Sequence, residues 1–559
     1  MLTRLGPVLA IGLLTAPVAF GLAGTILPAF GFLPALGGTG FSLAPLMALA
    51  GEPAIVYSAL MSLVTGLVTT LVSLGVVMLF TAAWSGTRAF ARVQHLISPL
   101  LSVPHAAAAF ALAFLIAPSG LLARMISPEL TGWHRPPDLL VVHDPMGLAM
   151  MAGLVVKEIP FLLLVTLAAL PQVHPARTRA LIAAMGYGRI GGFVFGLWPQ
   201  IYPQIRLPVF AVIAFATSVV DVAAILGPTT PPPLAVRLVG WMNDPDLSMR
   251  FLASAGALLQ LAVTAAAIGI WIVLEKLTAR LRERCACAGL RLRGDAPVRW
   301  TAFGLMLLSA LTIFAGLATL ALWSFAGLWQ FPDALPASFE LRNWARVLPH
   351  LLDPLLTTLI VGLVSTAVAT AIAILCLARE DEMGRPPGRG ALRLIYLPLI
   401  VPQVAFLFGL QLLFILIGSV ATMTALILAH LVFVLPYAYL CLKDPWRAFD
   451  RRYDQLAAGL GKAAWRRFLL IRLPMMTRPV LTVAAIGFSV SIGLYLPTLL
   501  IGAGRLTTVT TEAVALASGG NRRVIGIYAF LQMMLPAIGF AVATLVPALI
   551  FRRHRDMQV

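Results

Sequence analysis

The chain has 559 residues, of which 60% are hydrophobic and only 11% are charged. Soluble domains carry roughly 25% charged residues, so this composition excludes a soluble protein and predicts an integral membrane protein. The formal net charge of +18 does not indicate nucleic acid binding, because most Lys and Arg residues lie in alternate segments between apolar runs, as the positive-inside rule predicts.

Apolar runs of roughly 20 residues or more, long enough to cross a bilayer, recur along the whole chain and predict about twelve helices. The runs cover residues 6–32, 54–82, 101–117, 146–170, 206–228, 251–275, 299–325, 354–378, 393–417, 421–442, 480–501 and 526–551. The first run is longer than the core of a cleavable signal peptide, so we interpret it as the first span. An even number of spans returns both termini to one side, and the basic tail of Arg552, Arg553 and Arg555 predicts that this side is the cytoplasm.

The spans fall into two sets of six, separated by an arginine-rich connection. We predict a first half over residues 1–280, a cytoplasmic linker over 281–298 and a second half over 299–559. Cys285 and Cys287 lie in this linker, and no second Cys or His pair lies nearby in sequence to complete a metal site with them.

Sequence similarity between the two halves indicates an internal repeat. The segment from Ser62 to Thr70 resembles the segment from Thr358 to Thr366, and Val-Pro-His ending at His105 resembles Val-Pro-Gln ending at Gln403. Because both halves have an even number of helices and begin on the same side, the repeat is predicted to be parallel, with a pseudo-twofold axis along the membrane normal.

A long cytoplasmic segment follows the fourth helix of each half, over residues 171–205 and 443–479. In the second segment Leu456, Ala457 and Leu460 have helical spacing and predict one short apolar face. Gly461 is predicted to end this helix with a positive φ.

Both segments contain the same spacing of a glycine and a proline, with thirteen residues from Gly186 to Pro199 and from Gly461 to Pro474. This pattern resembles the signature of the permeases of binding-protein-dependent ABC importers, in which Glu-Ala-Ala is followed by three residues, Gly, and a Leu-Pro pair at the same distance. The coupling positions that the resemblance implies are Ala183, Ala184, Gly186, Pro199, Asp454, Gln455, Ala457, Ala458, Gly461, Leu473 and Pro474.

Neither segment keeps the glutamate of that signature. The second segment has Asp454 beside Gln455, and the first has no acid within the motif. In the family, this segment is a coupling helix that docks into a cleft of the ATPase subunit. The resemblance therefore implies two coupling helices here, and the difference in charge predicts unequal contacts in the two halves.

The resemblance covers most of the chain and is closest to fused two-half permeases of the iron(III), thiamine and polyamine type, with segments 242–250 and 495–505 similar to the YnjC-type subgroup. It implies an all-α integral membrane protein with the type I ABC importer permease fold. The implied partners are two copies of an ABC ATPase subunit, a periplasmic or lipid-anchored substrate-binding protein and membrane lipid. The implied cargo is a small solute such as thiamine, a related small cation or iron(III), imported through the bacterial inner membrane.

Three charged residues lie well inside predicted spans, away from their ends, where an ionised side chain is costly and indicates function by default. Lys157 and Glu158 are adjacent in the fourth predicted helix, and Asp221 lies in the fifth. One interpretation is that they line the translocation path; the other is that they form structural polar contacts between helices. In the related permeases the fifth helix lines the path, which favours Asp221.

The sequence contains no pattern typical of catalysis, cofactor binding or metal binding. It has no HExxH and no G-x-x-x-x-G-K-[ST] phosphate-binding loop, so ATP hydrolysis is expected on a separate subunit. A twelve-helix secondary transporter driven by an ion gradient remains the alternative, because such proteins also have six-plus-six repeats. A membrane-embedded enzyme is a further alternative, but no cluster of nucleophile, base or metal ligands is visible.

Overall fold

A computed structural model describes residues 2–291, 293–384 and 388–551. Arg552, Arg553 and Arg555, which support the prediction for the C-terminal tail, lie outside the described residues. Over the described ranges the ordered structure is helical, with only two isolated β-bridges and no strand. The predicted all-α class is therefore confirmed.

Thirteen α-helices form the first part of the chain, and they include short helices between the spans. They are α1 (Leu5–Ala29), α2 (Ala44–Gly51), α3 (Ile55–Trp84), α4 (Arg88–Ile97), α5 (His105–Ile116), α6 (Leu121–Ile126), α7 (Leu148–Ala169), α8 (Pro175–Ala184), α9 (Arg189–Gly192), α10 (Trp198–Ser218), α11 (Asp221–Leu226), α12 (Leu234–Met242) and α13 (Met249–Cys287).

Twelve further α-helices follow in the same general order of long and short elements. They are α14 (Ala296–Phe325), α15 (Arg342–Met383), α16 (Arg389–Ile400), α17 (Gln403–Leu416), α18 (Met423–Ala448), α19 (Arg451–Gly459), α20 (Ala464–Arg467), α21 (Leu473–Met475), α22 (Thr477–Gly493), α23 (Leu496–Gly502), α24 (Val509–Ala515) and α25 (Arg522–Ile550).

Among the described residues, ten helices are long and apolar enough to cross a membrane, and up to twelve spans result if two bent pairs each count as one. The bent pairs are residues 390–400 with 403–416, at 87°, and residues 464–475 with 477–493, at 73°. These helices overlap all twelve predicted runs, so the predicted number of spans is confirmed.

The predicted fifth span, over residues 206–228, has different boundaries in the structure. The helix α10 ends at Ser218, Val219 has an extended backbone, and Asp221 begins the separate short helix α11. The assignment of Asp221 to the fifth helix was therefore wrong. Hydropathy did not reveal the break between α10 and α11, because apolar residues continue through it and a change of backbone direction does not alter hydropathy.

The first span of each half packs against the other half. The helix α1 contacts α15, α16 and α17, and α14 contacts α3, α5 and α7. At the crossing of α1 and α17, Gly21 and Gly24 lie against the backbone of Phe406 and Gly409. Small residues allow helices to approach this closely in a bilayer, and Gly316 of α14 makes the equivalent approach to α5.

Equivalent hydrogen bonds in the two halves show the repeat at the level of atoms. The Leu234 N–H at the start of α12 donates to the Ser62 hydroxyl at 3.1 Å, and the Val509 N–H at the start of α24 donates to the Thr358 hydroxyl at 3.0 Å. Ser62 and Thr358 occupy matching positions in the repeated sequence segments. The internal repeat predicted from the sequence therefore has a structural counterpart at these two positions.

We expect Gly21→Ala to destabilise the protein by about 1–3 kcal/mol, because the added methyl group would collide with the backbone carbonyl of Phe406. Gly12→Ala in the same helix is the matched control, since no atom lies within 4 Å of the added carbon, and it should leave stability unchanged or slightly increased. Thermal unfolding of both variants in one detergent measures the difference. Equal stabilities would show that the crossing of α1 and α17 is not closely packed.

Candidate functional site

Both predicted coupling helices end in the same backbone turn. After α8, Gly186 has φ +79°, and its N–H donates to the Ala183 carbonyl at 2.9 Å. After α19, Gly461 has φ +72°, and its N–H donates to the Ala458 carbonyl at 3.0 Å. In both loops the next N–H reaches a carbonyl five residues back, which completes a Schellman motif. The predicted conformation of Gly461 is confirmed, and Gly186 shares it.

The segments that follow the two turns are also alike. In the first, α9 leads into a π-helical turn over Phe193–Leu197 and then into α10, where Pro199 is the second residue. In the second, α20 leads into a π-helical turn over Phe468–Arg472 and then into α21, which begins Leu473-Pro474. A proline is tolerated in the first turn of a helix because its missing N–H would have no intrahelical partner there.

Each predicted coupling helix presents two large apolar side chains to its surroundings, one helical turn apart. Leu181 and Met185 are 61% and 60% exposed in the first loop, and Leu456 and Leu460 are 68% and 79% exposed in the second. The two pairs occupy matching positions relative to the turn glycines. Exposed apolar side chains outside the spanning helices are typical of a protein docking surface.

The predicted apolar face of α19 is only partly correct. Leu456 and Leu460 are exposed, but Ala457 is buried, so it lies on a different side of the helix. Adjacent residues in a helix point about 100° apart, which separates Leu456 from Ala457. The remaining small or polar motif residues, Ala183, Ala184, Gln455 and Ala458, are exposed.

The second coupling loop is anchored to the end of α15 by Asp381. This carboxylate accepts from Arg472 at 2.6 Å, from Arg451 at 2.8 Å and from the indole N–H of Trp446 at 2.8 Å. The Arg472 guanidinium also lies 3.9 Å from the centre of the Trp446 ring. Hydrogen bonds between ionised groups are roughly twice as strong as neutral ones, so this loop is firmly held.

The first coupling loop is anchored at the matching position by a neutral residue, Ser85 at the end of α3. Arg179 donates to the Ser85 carbonyl at 3.1 Å and to its hydroxyl at 2.8 Å, and Arg189 donates to the same carbonyl at 3.0 Å. Sequence reasoning missed both Ser85 and Asp381. The repeat that aligns Ser62 with Thr358 also aligns these two residues, and it could have identified them.

The N-terminus of the second predicted coupling helix is also held by a charged side chain, and that of the first is not. Asp450 caps α19 by accepting from the Arg452 N–H at 3.0 Å, and the Arg452 guanidinium lowers the pKa of the Asp450 carboxyl below its ordinary value. The helix α8 has no side-chain cap. Within α19, Asp454 lies 3.6 Å from the Arg467 guanidinium, so its charge faces the following segment of the loop.

Lys157 and Glu158 are both buried in α7, but they contact different partners. Lys157 donates to the carbonyls of Leu100 and Leu101 at 3.2 and 3.1 Å. Glu158 pairs with His105 at 3.0 Å. The rotation of about 100° between adjacent helical residues explains why they do not share a face.

His105 and Glu158 belong to a polar cluster between the two halves. Asp221 is buried and lies within electrostatic reach of His105, while Tyr495 lies within reach of Asp221 and Tyr437 within reach of Glu158. We call these five residues the intramembrane polar cluster. Sequence reasoning missed His105, although it starts a helix at a position where the repeat has Gln403.

The intramembrane polar cluster does not have the geometry of a metal centre. Across the described ranges, no three His, Cys, Asp or Glu side chains lie close enough together to hold a metal ion. The cluster can instead provide two carboxyl groups and two phenol hydroxyls to a polar or cationic group that passes between the halves.

The chain is similar to known membrane transport proteins. Residues 382–556 match the family described as binding-protein-dependent transport system inner membrane component. The chain is 31% identical over 509 residues to the inner membrane ABC transporter permease protein YnjC of Escherichia coli K12, covering 90% of this chain and 91% of that protein.

Two shorter similarities concern permeases named for thiamine transport. The thiamine transport system permease protein ThiP of Escherichia coli K12 is 30% identical over 26% of this chain and 30% of its own length. The protein of the same name from Salmonella typhimurium LT2 is 29% identical over 25% of this chain and 29% of its own length.

We expect Asp381→Ala to loosen the second coupling loop, because the partly buried Arg472 would lose its carboxylate partner at a cost of about 1–3 kcal/mol. Trypsin should then cleave after Arg466 or Arg467 about tenfold faster in the purified protein, as 1.4 kcal/mol of local opening predicts. Asp353→Ala, which removes an exposed aspartate of the same helix, is the control. The proposed anchor would be wrong if both variants were cleaved at the wild-type rate.

Proposed function

Because this chain belongs to the ABC transporter permease family of binding-protein-dependent transport systems, we propose that it imports a small solute delivered by an external binding protein. A permease of this family is a membrane transport subunit. In our proposal, two copies of a separate ATPase subunit supply the energy. The observation that carries it is the pair of coupling loops with the same turn and the same exposed apolar residues. The alternative of an ion-driven secondary transporter lies outside this family.

In this proposal the coupling residues have distinct roles. Leu181 with Met185, and Leu456 with Leu460, enter the cleft of one ATPase copy each, while Ala183, Ala184, Gln455 and Ala458 surround them without blocking close approach. Gly186 and Gly461 reverse the chain, and Pro199, Leu473 and Pro474 begin its return to the membrane. Ala457 packs inward and Asp454 faces Arg467, so both support the docking helix from behind.

The proposed orientation places both coupling loops, both termini and the linker over residues 281–298 in the cytoplasm. It is supported by the concentration of Lys and Arg in these segments. The same linker is proposed to join a first half over residues 1–280 to a second half over residues 299–559. Such a fusion would supply both coupling loops in one polypeptide.

The proposed cargo is a small organic cation of the thiamine kind. Glu158 and Asp221 are buried between the halves near Tyr437 and Tyr495. Carboxyl groups and aromatic rings both attract a cation that has left water. Lys157 is turned away toward two backbone carbonyls, so we propose that it holds the adjacent helix and contributes to the path only indirectly.

We expect Gly461→Val to abolish ATPase docking at the second loop, because a β-branched residue is strained at φ +72°. Gly461→Asn should retain much of the function, since Asn tolerates this conformation. Gly459→Val is the matched control, because Gly459 lies within α19 in open space and needs no positive φ. Transport and ATPase co-purification, normalised to membrane abundance, measure the effect. Equal results for the two valine variants would contradict the proposed role of the turn.

We expect Asp221→Asn and Glu158→Gln each to lower thiamine uptake at least tenfold, because a charge-assisted contact of about 1.5–3 kcal/mol with the cation is lost. Labelled thiamine uptake would be measured in proteoliposomes that contain the permease, its ATPase and its binding protein. Glu340→Gln changes an exposed carboxylate outside the cluster and is the control. Wild-type rates in both variants would remove the cluster from the path, and uptake of an iron(III) complex in place of thiamine would refute the proposed cargo.

A further inference from the structure

Three linker residues, Arg291, Arg293 and Asp295, contact the turn of the first coupling loop or the helix that follows it. The Arg291 guanidinium donates to the Met185 carbonyl, and Arg293 Nε donates to the Gly186 carbonyl at 3.0 Å. In the opposite direction, the Gly188 N–H donates to the Arg291 carbonyl at 3.2 Å. We call Arg291, Arg293 and Asp295 the linker clasp.

Asp295 completes the clasp on the far side of the turn. Its carboxylate accepts from the Ile190 N–H at 3.0 Å, within the first turn of α9. The carbonyls at the end of one helix and the N–H groups at the start of the next have no intrahelical partners. Positive groups are favourable at a helix C-terminus and negative groups at an N-terminus. The clasp places two arginines after the C-terminus of α8 and an aspartate at the N-terminus of α9, so polar backbone groups at both helix ends have partners.

Among the described residues, no comparable clasp surrounds the turn of the second coupling loop. A carbon atom added at Gly186 would lie 2.8 Å from the Arg293 guanidinium, whereas one added at Gly461 would have no described atom within 4 Å. The second loop is instead held by the carboxylate of Asp381, where the first loop has the neutral Ser85. The linker therefore supplies to the first loop the charged contacts that Asp381 supplies to the second.

We propose that the linker clasp positions the first coupling loop and forms, together with Leu181 and Met185, a composite docking surface for one ATPase copy. This inference rests on the proposed function. Arg291 and Arg293 are exposed beside Met185, so they also offer guanidinium groups to carboxylates on the docked subunit. The other ATPase copy meets a surface built from the second loop alone. The covalent fusion of the halves thus makes the two docking sites chemically different.

The first test uses the purified full-length permease without ATPase. We expect Arg291→Ala combined with Arg293→Ala to raise hydrogen exchange at the Gly188 and Ile190 amides by about tenfold, because their bonded partners are no longer held in place. Exchange at Lys462 in the second loop should not change. Arg280→Ala combined with Arg282→Ala removes two arginines at the end of α13, outside the clasp, and is the matched control. Unchanged exchange at Gly188 and Ile190 would overturn the clasp.

The second test measures how many ATPase copies bind to the permease in nanodiscs. The clasp double variant should keep about one copy at an ATPase concentration that gives two on the wild type, and Arg293→Lys should restore only part of the loss because lysine lacks the planar fork. Two copies on the clasp variant, with Gly461→Val still impaired, would overturn the composite surface alone. Two copies on both variants would instead refute the coupling role of the loops, and with it the proposed function.

Discussion

The hydrocarbon core of a bilayer offers no water, so every backbone N–H and carbonyl at that depth must find a partner inside the protein. Helices satisfy this requirement along their length, and each break in a helix needs a substitute. The hydroxyls of Ser62 and Thr358 accept from the first N–H groups of α12 and α24, and Lys157 donates to the carbonyls of Leu100 and Leu101. These side chains therefore supply partners to backbone groups at the starts of two helices and in the segment before α5.

Close packing between the halves follows from a second property of the bilayer. Apolar side chains gain little by leaving lipid for another apolar surface, so helix association depends on contact distance. Gly21, Gly24 and Gly409 remove the side chains that would separate α1 from α17. Because α1 and α14 each cross to the other half, the two repeats hold one another. In the same packing, the short helix α11, which begins at Asp221, contacts α5 of its own half and α24 of the other.

Outside the spanning helices, the two coupling loops have the same backbone conformation at the turn but are anchored by different side chains. Asp381 gathers two arginines and an indole in the second loop, while Ser85 and the linker share that task in the first. The asymmetry predicted from charge alone thus has a structural counterpart in the anchors. It also shows why the charges within each loop were insufficient to predict the contacts, since Arg291 and Arg293, which contact the turn of the first loop, come from the linker.

The sequence by itself determined the features that depend on neighbouring residues: the spans, through the length and hydropathy of each run, the repeat, through matching segments, and the turn at Gly461, through the φ that glycine allows. Tertiary structure alone decided the features that depend on distant residues meeting. It placed Lys157 against the carbonyls of Leu100 and Leu101, paired Glu158 with His105, moved Asp221 out of α10 and turned Ala457 inward. It also brought the linker arginines to Gly186. Composition states how many charges a segment carries, but their partners are set by helix rotation and packing, which no local pattern records.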